Sequence, residues 1–323
     1  MLSLTIGIPT FNRASKLRRL LEFIRRELDT CHGVTVLVSD NASTDQTATV
    51  VDEFRQSGME IVYIRQPNNV GFDANVRTVY DYANTDYVWF FSDDDLPFQG
   101  AIHKILNALE DNRPDILCFS FVQPPGWPIR QFNYPEAVRI FSEPLNAIEN
   151  TVRMPKLSNY VIRKICLESF DSAFLDSNVG AGFMFVALSI SVLGHSTTPR
   201  VAVISEALAT CDEDFRILPW TPEMYLNMHR AVTHPFVVKN WPDLIDTWKH
   251  DGYRNAISLA FSVAVGTLIA MEPAKYREFV ARLEWRAREL VRSPRTFGQL
   301  CALKLRIAHL WPRLRRFVPL INR

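Results

Sequence analysis

The stretch SLTIGIPTFNRASKLRRLLEFIRREL, residues 3–28, decides the fold because it joins a strand pattern to a helix pattern. Residues 3–8 alternate and are partly β-branched, which is typical of a strand. A strand followed by an amphipathic helix predicts the first unit of an α/β sheet. The helix pattern spans residues 14–28, where apolar side chains recur at helical spacing, namely Leu17, Leu20, Leu21, Ile24 and Leu28.

The same unit recurs before a fourth strand. Strands are predicted at 34–38, 60–64 and 87–91, and helices at about 44–56 and 72–83. Four strands separated by three helices predict a mainly parallel sheet with right-handed crossovers, flanked by helices. The predicted fold class is therefore α/β.

Helix and strand patterns are weaker beyond residue 112. From about Leu218 the chain turns helical and rich in Trp and Leu, so we predict an α/β domain at 1–216 and a smaller α-helical C-terminal region at 217–323. Before that boundary we expect a strand at 115–121, a strand entering a short helix at 160–170, a helix at 180–193 and a strand at 201–210.

Composition indicates a globular intracellular protein. The chain has 323 residues, 47% of them hydrophobic, which is enough for one large or two moderate domains. Its five cysteines are scattered, without paired metal spacing, and predict free thiols in a reducing compartment. Residues 1–13 lack the pattern of a signal peptide, and the apolar segment 257–271 is shorter than the roughly 20 residues a membrane span needs. We therefore expect a cytoplasmic location.

Polar segments follow each of the four predicted strands. In open α/β sheets, ligands bind beyond the carboxyl ends of the strands, which lie along one edge. We therefore expect a binding site formed by PTFNR (9–13), SDNASTD (39–45), RQPNNVGF (65–72) and SDDD (92–95).

The run SDDD places three carboxylates side by side, Asp93, Asp94 and Asp95. Adjacent like charges repel by about 1 kcal/mol at 4 Å even in water. One interpretation is a helix start, with Asp95 as the cap and Pro97 in the first turn. The other is a site for Mg²⁺ or Mn²⁺, which prefer carboxylate oxygens.

Four motifs occur in a fixed order in the first third of the chain, namely IGIPTFNR, LVSDNASTDQT, NNVGFDANV and YVWFFSDDD. In this order and spacing they resemble the family-two glycosyltransferases with the GT-A fold. More narrowly, they look like the branch that contains abequosyltransferases and related sugar transferases of bacterial O-antigen assembly. The resemblance is strong over 1–105, thin over 106–215 and absent after that.

The resemblance implies a site for a nucleoside diphosphate sugar. It implies a nucleobase pocket lined by Pro9, Thr10 and Asp40, with Asn12 and Arg13 nearby. An Asx turn is the structural alternative for Asp40. In NNVGFDANV, Gly71 permits a close approach, while Asn68, Asn69 and Asn75 either bond donor hydroxyls or cap the helix near Phe72.

SDDD matches the DXD element of the family. The resemblance implies Asp93 at the ribose, Asp94 as a ligand of Mn²⁺ or Mg²⁺, and Asp95 as a further metal ligand or a cap. Such a metal acts as a Lewis acid on the departing nucleoside diphosphate.

The sequence departs from the family where a catalytic base is expected. An inverting transfer needs a group that deprotonates the acceptor hydroxyl. Many members carry an acidic pair at a helix start, but the corresponding segment, DSNVGAGFMFVAL (176–188), has none. Asp176 is the nearest candidate, followed by Asp171 and the cluster at 212–214. A retaining transfer would require no such base.

The C-terminal segment differs from the rest of the chain in its charge. Residues 291–323 hold eight of the 36 Lys and Arg residues and none of the 35 Asp and Glu residues. This basic amphipathic segment suits either an anionic membrane surface or packing on its own domain. The Trp-rich helices before it are also compatible with a homodimer contact. Nucleic acid is disfavoured as a partner because no recognition motif accompanies the charge.

The combined prediction is a metal-dependent sugar transferase, cytoplasmic or peripheral on the inner face of the membrane. It would move a sugar from a nucleoside diphosphate sugar to a lipid-linked saccharide acceptor in surface polysaccharide synthesis. The alternative is a noncatalytic nucleotide-sugar-binding protein that recruits partners through its C-terminal region.

Overall fold

The first seven elements follow the predicted alternation of strands and helices. A computed structural model describes residues 2–122, 132–165 and 172–211. Its first elements are β1 (Leu4–Thr10), α1 (Ala14–Leu28), β2 (Val34–Asp40), α2 (Thr47–Gln56), β3 (Ile61–Arg65), α3 (Phe72–Tyr82) and β4 (Tyr87–Phe90).

These four strands form a parallel sheet in the order β3-β2-β1-β4. The order reverses direction between β1 and β4, so right-handed crossovers place α1 and α2 on one face and α3 on the other. The carboxyl ends of β1 and β4 thus flank a topological switch point, which is where open α/β sheets bind ligands.

The remaining described elements extend the sheet on the β4 side. They are β5 (Asp95–Pro97), α4 (Ala101–Asn112), β6 (Ile116–Val122), β7 (Val138–Phe141), α5 (Pro144–Val152), β8 (Tyr160–Arg163), α6 (Ser172–Ser177), α7 (Met184–Gly194) and β9 (Val201–Cys211). β8 pairs antiparallel with β4 and β6, and β9 runs parallel to β6 and antiparallel to β5 and β7. The sheet is therefore mixed beyond its parallel first half.

The helix-cap interpretation of SDDD is wrong. Asp95 begins strand β5, and the next helix begins only at Ala101, with Gly100 at the N-cap in the left-handed conformation. Pro97 lies opposite Ala209 of β9 on the edge strand of the sheet, where its missing N–H costs no ladder hydrogen bond. Pairing with a distant strand thus overrides the local capping signal.

The core lies between the sheet and its helices. All seven residues of β1 and all four of β4 are buried. Helix α3 packs so closely on β1 that a Cβ on Gly7 would lie 2.1 Å from Cγ1 of Val79. All eleven residues of α7 are buried as well, so α7 is a central helix of the fold.

Two predicted helices begin later than expected. α2 starts at Thr47 because the carboxylate of Asp45 accepts hydrogen bonds from the amide and the hydroxyl of Thr47, at 3.0 and 2.5 Å. α7 starts at Met184 because Gly180 and Gly182 have positive φ and form a loop before it.

The C-terminal predictions fall outside the described residues. These are the helical region at 217–323, the boundary near 216, the basic amphipathic segment and the alternative bases Asp171 and 212–214. In the described portion, none of the helices combines the length and apolar character that crossing a bilayer requires.

Candidate active site

The switch point is closed by a hydrogen bond between β1 and the segment after β4. The hydroxyl of Thr10, the last residue of β1, donates to Oδ2 of Asp93 at 2.7 Å. Both residues are buried. The first and fourth strand loops therefore meet at one point, as their positions in the sequence predict.

Arg13 joins the same cluster from the loop between β1 and α1. Its Nη1 donates to Oδ1 of Asp93 at 2.8 Å and to Oδ2 of Asp94 at 2.9 Å. The side chains of Asp93 and Asp94 are 3% and 19% exposed, whereas that of Arg13 is 45% exposed. Nη1 of Arg13 thus binds both carboxylates of this mostly buried pair from the solvent side.

The two carboxylates of this pair differ electrostatically. Burial raises the pKa of Asp93 to about 6, against the opposing charge of Arg13. Burial would also raise the pKa of Asp94, but the hydrogen bond from Ser92, at 2.5 Å, and the charge of Arg13 bring that pKa below its usual value. Asp94 is therefore the more firmly ionised member of the pair.

Asp95 faces different partners. Its Oδ1 lies 3.0 Å from Nζ of Lys156, and its Oδ2 accepts a 2.5 Å hydrogen bond from the hydroxyl of Ser158. The carboxylate of Asp95 is fully buried. A metal ion could bind Asp95 only if it displaced Lys156 from the carboxylate. The role of Asp95 as a metal ligand stays a prediction.

Asp40 ends β2 and organises the next loop. Its Oδ1 accepts from the amide of Ser43 at 2.8 Å and its Oδ2 from the hydroxyl of Tyr63 at 2.6 Å. Nε of Arg65 lies 3.9 Å from Oδ2. The Asp40 carboxylate is completely buried. The burial of Tyr63 and its hydrogen bond to Asp40 raise the pKa of the Tyr63 hydroxyl. Asp40 therefore shapes this loop through an amide three residues on, whereas an Asx turn uses the amide two residues on. The Asx turn and the contact with a nucleobase both stay predictions.

Asn12 connects the first and second loops. Its backbone has φ of 53°, in the left-handed region that Asn tolerates better than most residues. The Oδ1 atom of Asn12 accepts from the amide of Thr44 at 2.7 Å, and the amide of Asn12 donates to the hydroxyl of Ser43 at 2.9 Å. Pro9, one residue before the end of β1, is buried opposite Ser39 of β2.

The third loop is fastened to the second. Nδ2 of Asn41 donates to Oδ1 of Asn69 at 2.9 Å, and Oδ1 of Asn69 also accepts from the amide of Gly71. Gly71 has φ of 85° and is the N-cap residue of α3, where it offers no side chain to bond the amides of the first helical turn. Asn75 instead exchanges hydrogen bonds with Ser39 of β2. Asn69 and Asn75 therefore shape the loop and anchor the helix rather than cap it.

A buried carboxylate lies at the start of α7, where the sequence shows no acidic pair. Asp73, in the first turn of α3, accepts from the amide of Gly182 at 2.7 Å and from that of Met184 at 3.1 Å. Burial raises the pKa of Asp73. Both oxygens are committed to backbone amides, which makes Asp73 a clamp between α3 and α7.

The predicted base, Asp176, lies on α6 and contacts α3 one helical turn after Asp73. Oδ1 of Asp176 accepts from Nη1 of Arg77 at 2.5 Å, and the Asp176 side chain is 67% exposed. Arg77 also approaches Asp81, with Nε and Oδ2 3.5 Å apart. Asp176 is not joined to the Asp93 cluster by any contact that the structure records among the described residues.

The Asp93 and Asp94 oxygens fit a divalent cation. They converge on one point, now held by the Arg13 nitrogen, and carboxylates are the ligands that Mg²⁺ and Mn²⁺ prefer. Asp93, which the resemblance implies at the ribose, thus stands beside Asp94 where Asp95 was the expected second ligand. Within 2–122, 132–165 and 172–211, no group of three or more His, Cys, Asp or Glu residues is placed so that it could hold a metal ion. The protein would thus supply two carboxylates, and water and phosphate oxygens the remaining positions.

Sequence reasoning missed Lys156, Ser158, Tyr63 and Asp73. Each contacts a motif residue or a helix end that is far away in the chain, and Asp73 lies 109 residues from Gly182. An acidic residue in the first turn of α3 is expected to favour the amino terminus of its own helix, and this does not predict the contact of Asp73 with α7.

Comparisons with known proteins find similarity to glycosyltransferases. The sequence model described as "Glycosyl transferase family 2" matches residues 5–161. An abequosyltransferase of Salmonella typhimurium is 36% identical over 113 residues, 34% of this chain and 34% of that protein. A GalNAc(5)-diNAcBac-PP-undecaprenol beta-1,3-glucosyltransferase of Campylobacter jejuni is 25% identical over 134 residues, 41% of this chain and 43% of that protein. The matched part thus spans well under half of either relative.

One solved structure extends the likeness in fold. The crystal structure of S. aureus TarS 1-349 in complex with UDP-GlcNAc aligns with a TM-score of 0.61. The alignment covers 97% of this chain and 88% of that chain, at 15% sequence identity. At this identity the likeness shows a shared fold.

Proposed function

Residues 5–161 belong to glycosyl transferase family 2, and from this premise we propose that the protein transfers a sugar from a nucleoside diphosphate sugar to a saccharide acceptor. The observation that carries the proposal is the cluster at the switch point. There Thr10 and Arg13 bind the carboxylates of Asp93 and Asp94. A donor with a diphosphate needs positive charge at its binding site. Here Arg13 would supply one positive charge, and a metal ion held by Asp93 and Asp94 would supply the other.

We assign the donor to the carboxyl edge of β1, β2 and β4. Asp40 is enclosed, so its proposed role is to fix the wall of the nucleobase pocket through Ser43 and Tyr63. The loop from Pro9 to Arg13 forms the facing wall. The loop containing Asn69 and Gly71, held by Asn41, closes the sugar end.

A bound Mn²⁺ or Mg²⁺, held by Asp93 and Asp94, would supply Lewis-acid stabilisation of the diphosphate leaving group. The protein residues do the rest of the positioning. Thr10 fixes one oxygen of Asp93, and Ser92 fixes one oxygen of Asp94. Each carboxylate therefore keeps its second oxygen in a defined place.

Asp176 remains our proposed base for the acceptor hydroxyl. Its exposure leaves the carboxylate accessible, and Arg77 holds it in one orientation. Asp176→Asn should lower kcat by about a hundredfold, within the range that a general base contributes, and leave the donor KM unchanged. Asp81→Asn is the matched control, because Asp81 is the other carboxylate beside Arg77. Equal activity of the two variants would remove Asp176 from the mechanism.

The acceptor that we propose is a lipid-linked saccharide of bacterial surface polysaccharide such as O-antigen. The name of one relative, the GalNAc(5)-diNAcBac-PP-undecaprenol glucosyltransferase, supports a lipid-linked acceptor. The O-antigen setting rests on the motif resemblance. The basic segment at 291–323 would suit attachment to the inner face of a membrane.

Transfer itself is tested by release of nucleoside diphosphate from a panel of sugar donors, with and without a polyprenyl-diphosphate saccharide. Acceptor-dependent release supports the transferase. Donor binding without release under any condition would instead favour the noncatalytic nucleotide-sugar-binding alternative.

A further inference from the structure

The position of Arg13 suggests a role beyond donor binding. We propose that Arg13 is a tethered cation that occupies the metal position in the donor-free protein and leaves it when metal and donor bind. This inference rests on the proposed function, because it concerns the same pair of carboxylates.

The contact geometry resembles ligands around an ion more than a usual ion pair. Arginine typically meets one carboxylate with two nitrogens in a planar fork. Here a single nitrogen, Nη1 of Arg13, meets two carboxylates, at 2.8 Å from Asp93 and 2.9 Å from Asp94. Both oxygens that would bind a metal are therefore already committed to one positive centre.

Electrostatics explains why the place is filled. Asp93 and Asp94 are adjacent and mostly buried, so their mutual repulsion is poorly screened. Arginine stays protonated in proteins, so Arg13 offsets one of the two negative charges of this pair at any ordinary pH. For the same reason, a divalent cation cannot share the position with Arg13, and the guanidinium has to move away.

The attachment of Arg13 allows that movement. Its backbone is fixed, because its carbonyl accepts the first hydrogen bond of α1, from Leu17 at 2.9 Å. Its side chain is 45% exposed and makes no capping hydrogen bond to the helix. The guanidinium can therefore swing into solvent without disturbing the strand or the helix.

Exchange of the two cations couples metal binding to donor binding. A displaced guanidinium needs a new acceptor, and the diphosphate of the donor offers oxygens suited to arginine. The metal alone must displace Arg13 without that compensation. The donor-free protein should therefore bind Mn²⁺ weakly.

The test is titration of Mn²⁺ alone into the full chain, with free Mn²⁺ followed by electron paramagnetic resonance. Arg13→Ala should bind Mn²⁺ at least about tenfold more tightly than the wild type, because the metal no longer has to displace the two charge-assisted contacts of Arg13, each of which alone is worth about that factor. Arg13→Gln, which keeps most of the stem, should show the same gain. Arg18→Ala is the control for net charge, because Arg18 pairs with Glu53 on the surface, and it should match the wild type.

Two results would overturn the proposal. One is Mn²⁺ affinity in Arg13→Ala and Arg13→Gln that equals or falls below that of the wild type, in samples with wild-type circular dichroism. The other is a gain that survives in the double variant with Asp94→Ala, since the metal would then bind elsewhere. Titration of the wild type with nucleoside diphosphates separates the two proposals: failure to bind any of them refutes the proposed function and leaves the Mn²⁺ comparison intact.

Discussion

Replacement of Asp73 by Ala should destabilise the fold more than any surface change on α3. The variant removes the carboxylate that accepts from the amides of Gly182 and Met184, and leaves both amides without that partner at a buried helix start. An unsatisfied buried amide costs about 1–3 kcal/mol, which gives about 2–6 kcal/mol for two. The wild type also spends free energy to bury the charged carboxylate of Asp73, as its raised pKa indicates, and the alanine variant avoids this cost. We therefore expect a net loss of about 3 kcal/mol in the free energy of unfolding.

Urea denaturation at neutral pH, followed by far-ultraviolet circular dichroism, measures this loss. Asp73→Asn should lose at least half as much, because its NH₂ group faces an amide donor in place of one carboxylate oxygen. The control is Asp81→Ala, which removes a partly exposed partner of Arg77 and should cost less than about 1 kcal/mol. A loss below about 1 kcal/mol for Asp73→Ala would refute the assignment of this residue as the clamp of α7.

Two further substitutions test the packing and the buried charges. Gly7→Ala should lower the free energy of unfolding by about 1–3 kcal/mol, because its Cβ would overlap Cγ1 of Val79; addition of Val79→Ala should recover part of this loss in the same denaturation assay, and a double variant no more stable than Gly7→Ala would contradict the overlap. Lys156→Met should cost about 3–5 kcal/mol, because it leaves the fully buried carboxylate of Asp95 without its cation; a midpoint in urea equal to that of the wild type would show that the pair is not needed.

The first half of the fold could be predicted because its elements are regular and locally encoded. Helix α1 runs from Ala14 to Leu28, the bounds that the sequence pattern indicates, because one of its faces packs on the sheet and the other meets solvent. Helix α7 gives no such contrast, because it is buried on all sides. The loop of Gly180 and Gly182 before α7 serves a tertiary contact with Asp73, so its length could not be read from a helical pattern.

The candidate site also has a part that could be predicted from the sequence and a part that could not. That the loops after β1 and β4 would meet follows from parallel topology, and the contacts of Thr10 and Arg13 with Asp93 agree with it. The role of Asp95 could not be predicted, since Lys156 and Ser158 reach it from a distant segment. Adjacent aspartates therefore look alike in sequence but face two different environments.

The measurement that tests the central claim most directly is calorimetric titration with UDP, CDP, GDP and dTDP, with and without Mn²⁺, on the wild type and Asp94→Ala. The account predicts that one nucleotide binds the wild type in the presence of Mn²⁺ and that this binding is lost in Asp94→Ala. Absence of binding by all four nucleotides, or binding that Asp94→Ala leaves unchanged, would contradict the assignment of the Asp93 and Asp94 pair to a nucleotide-sugar site.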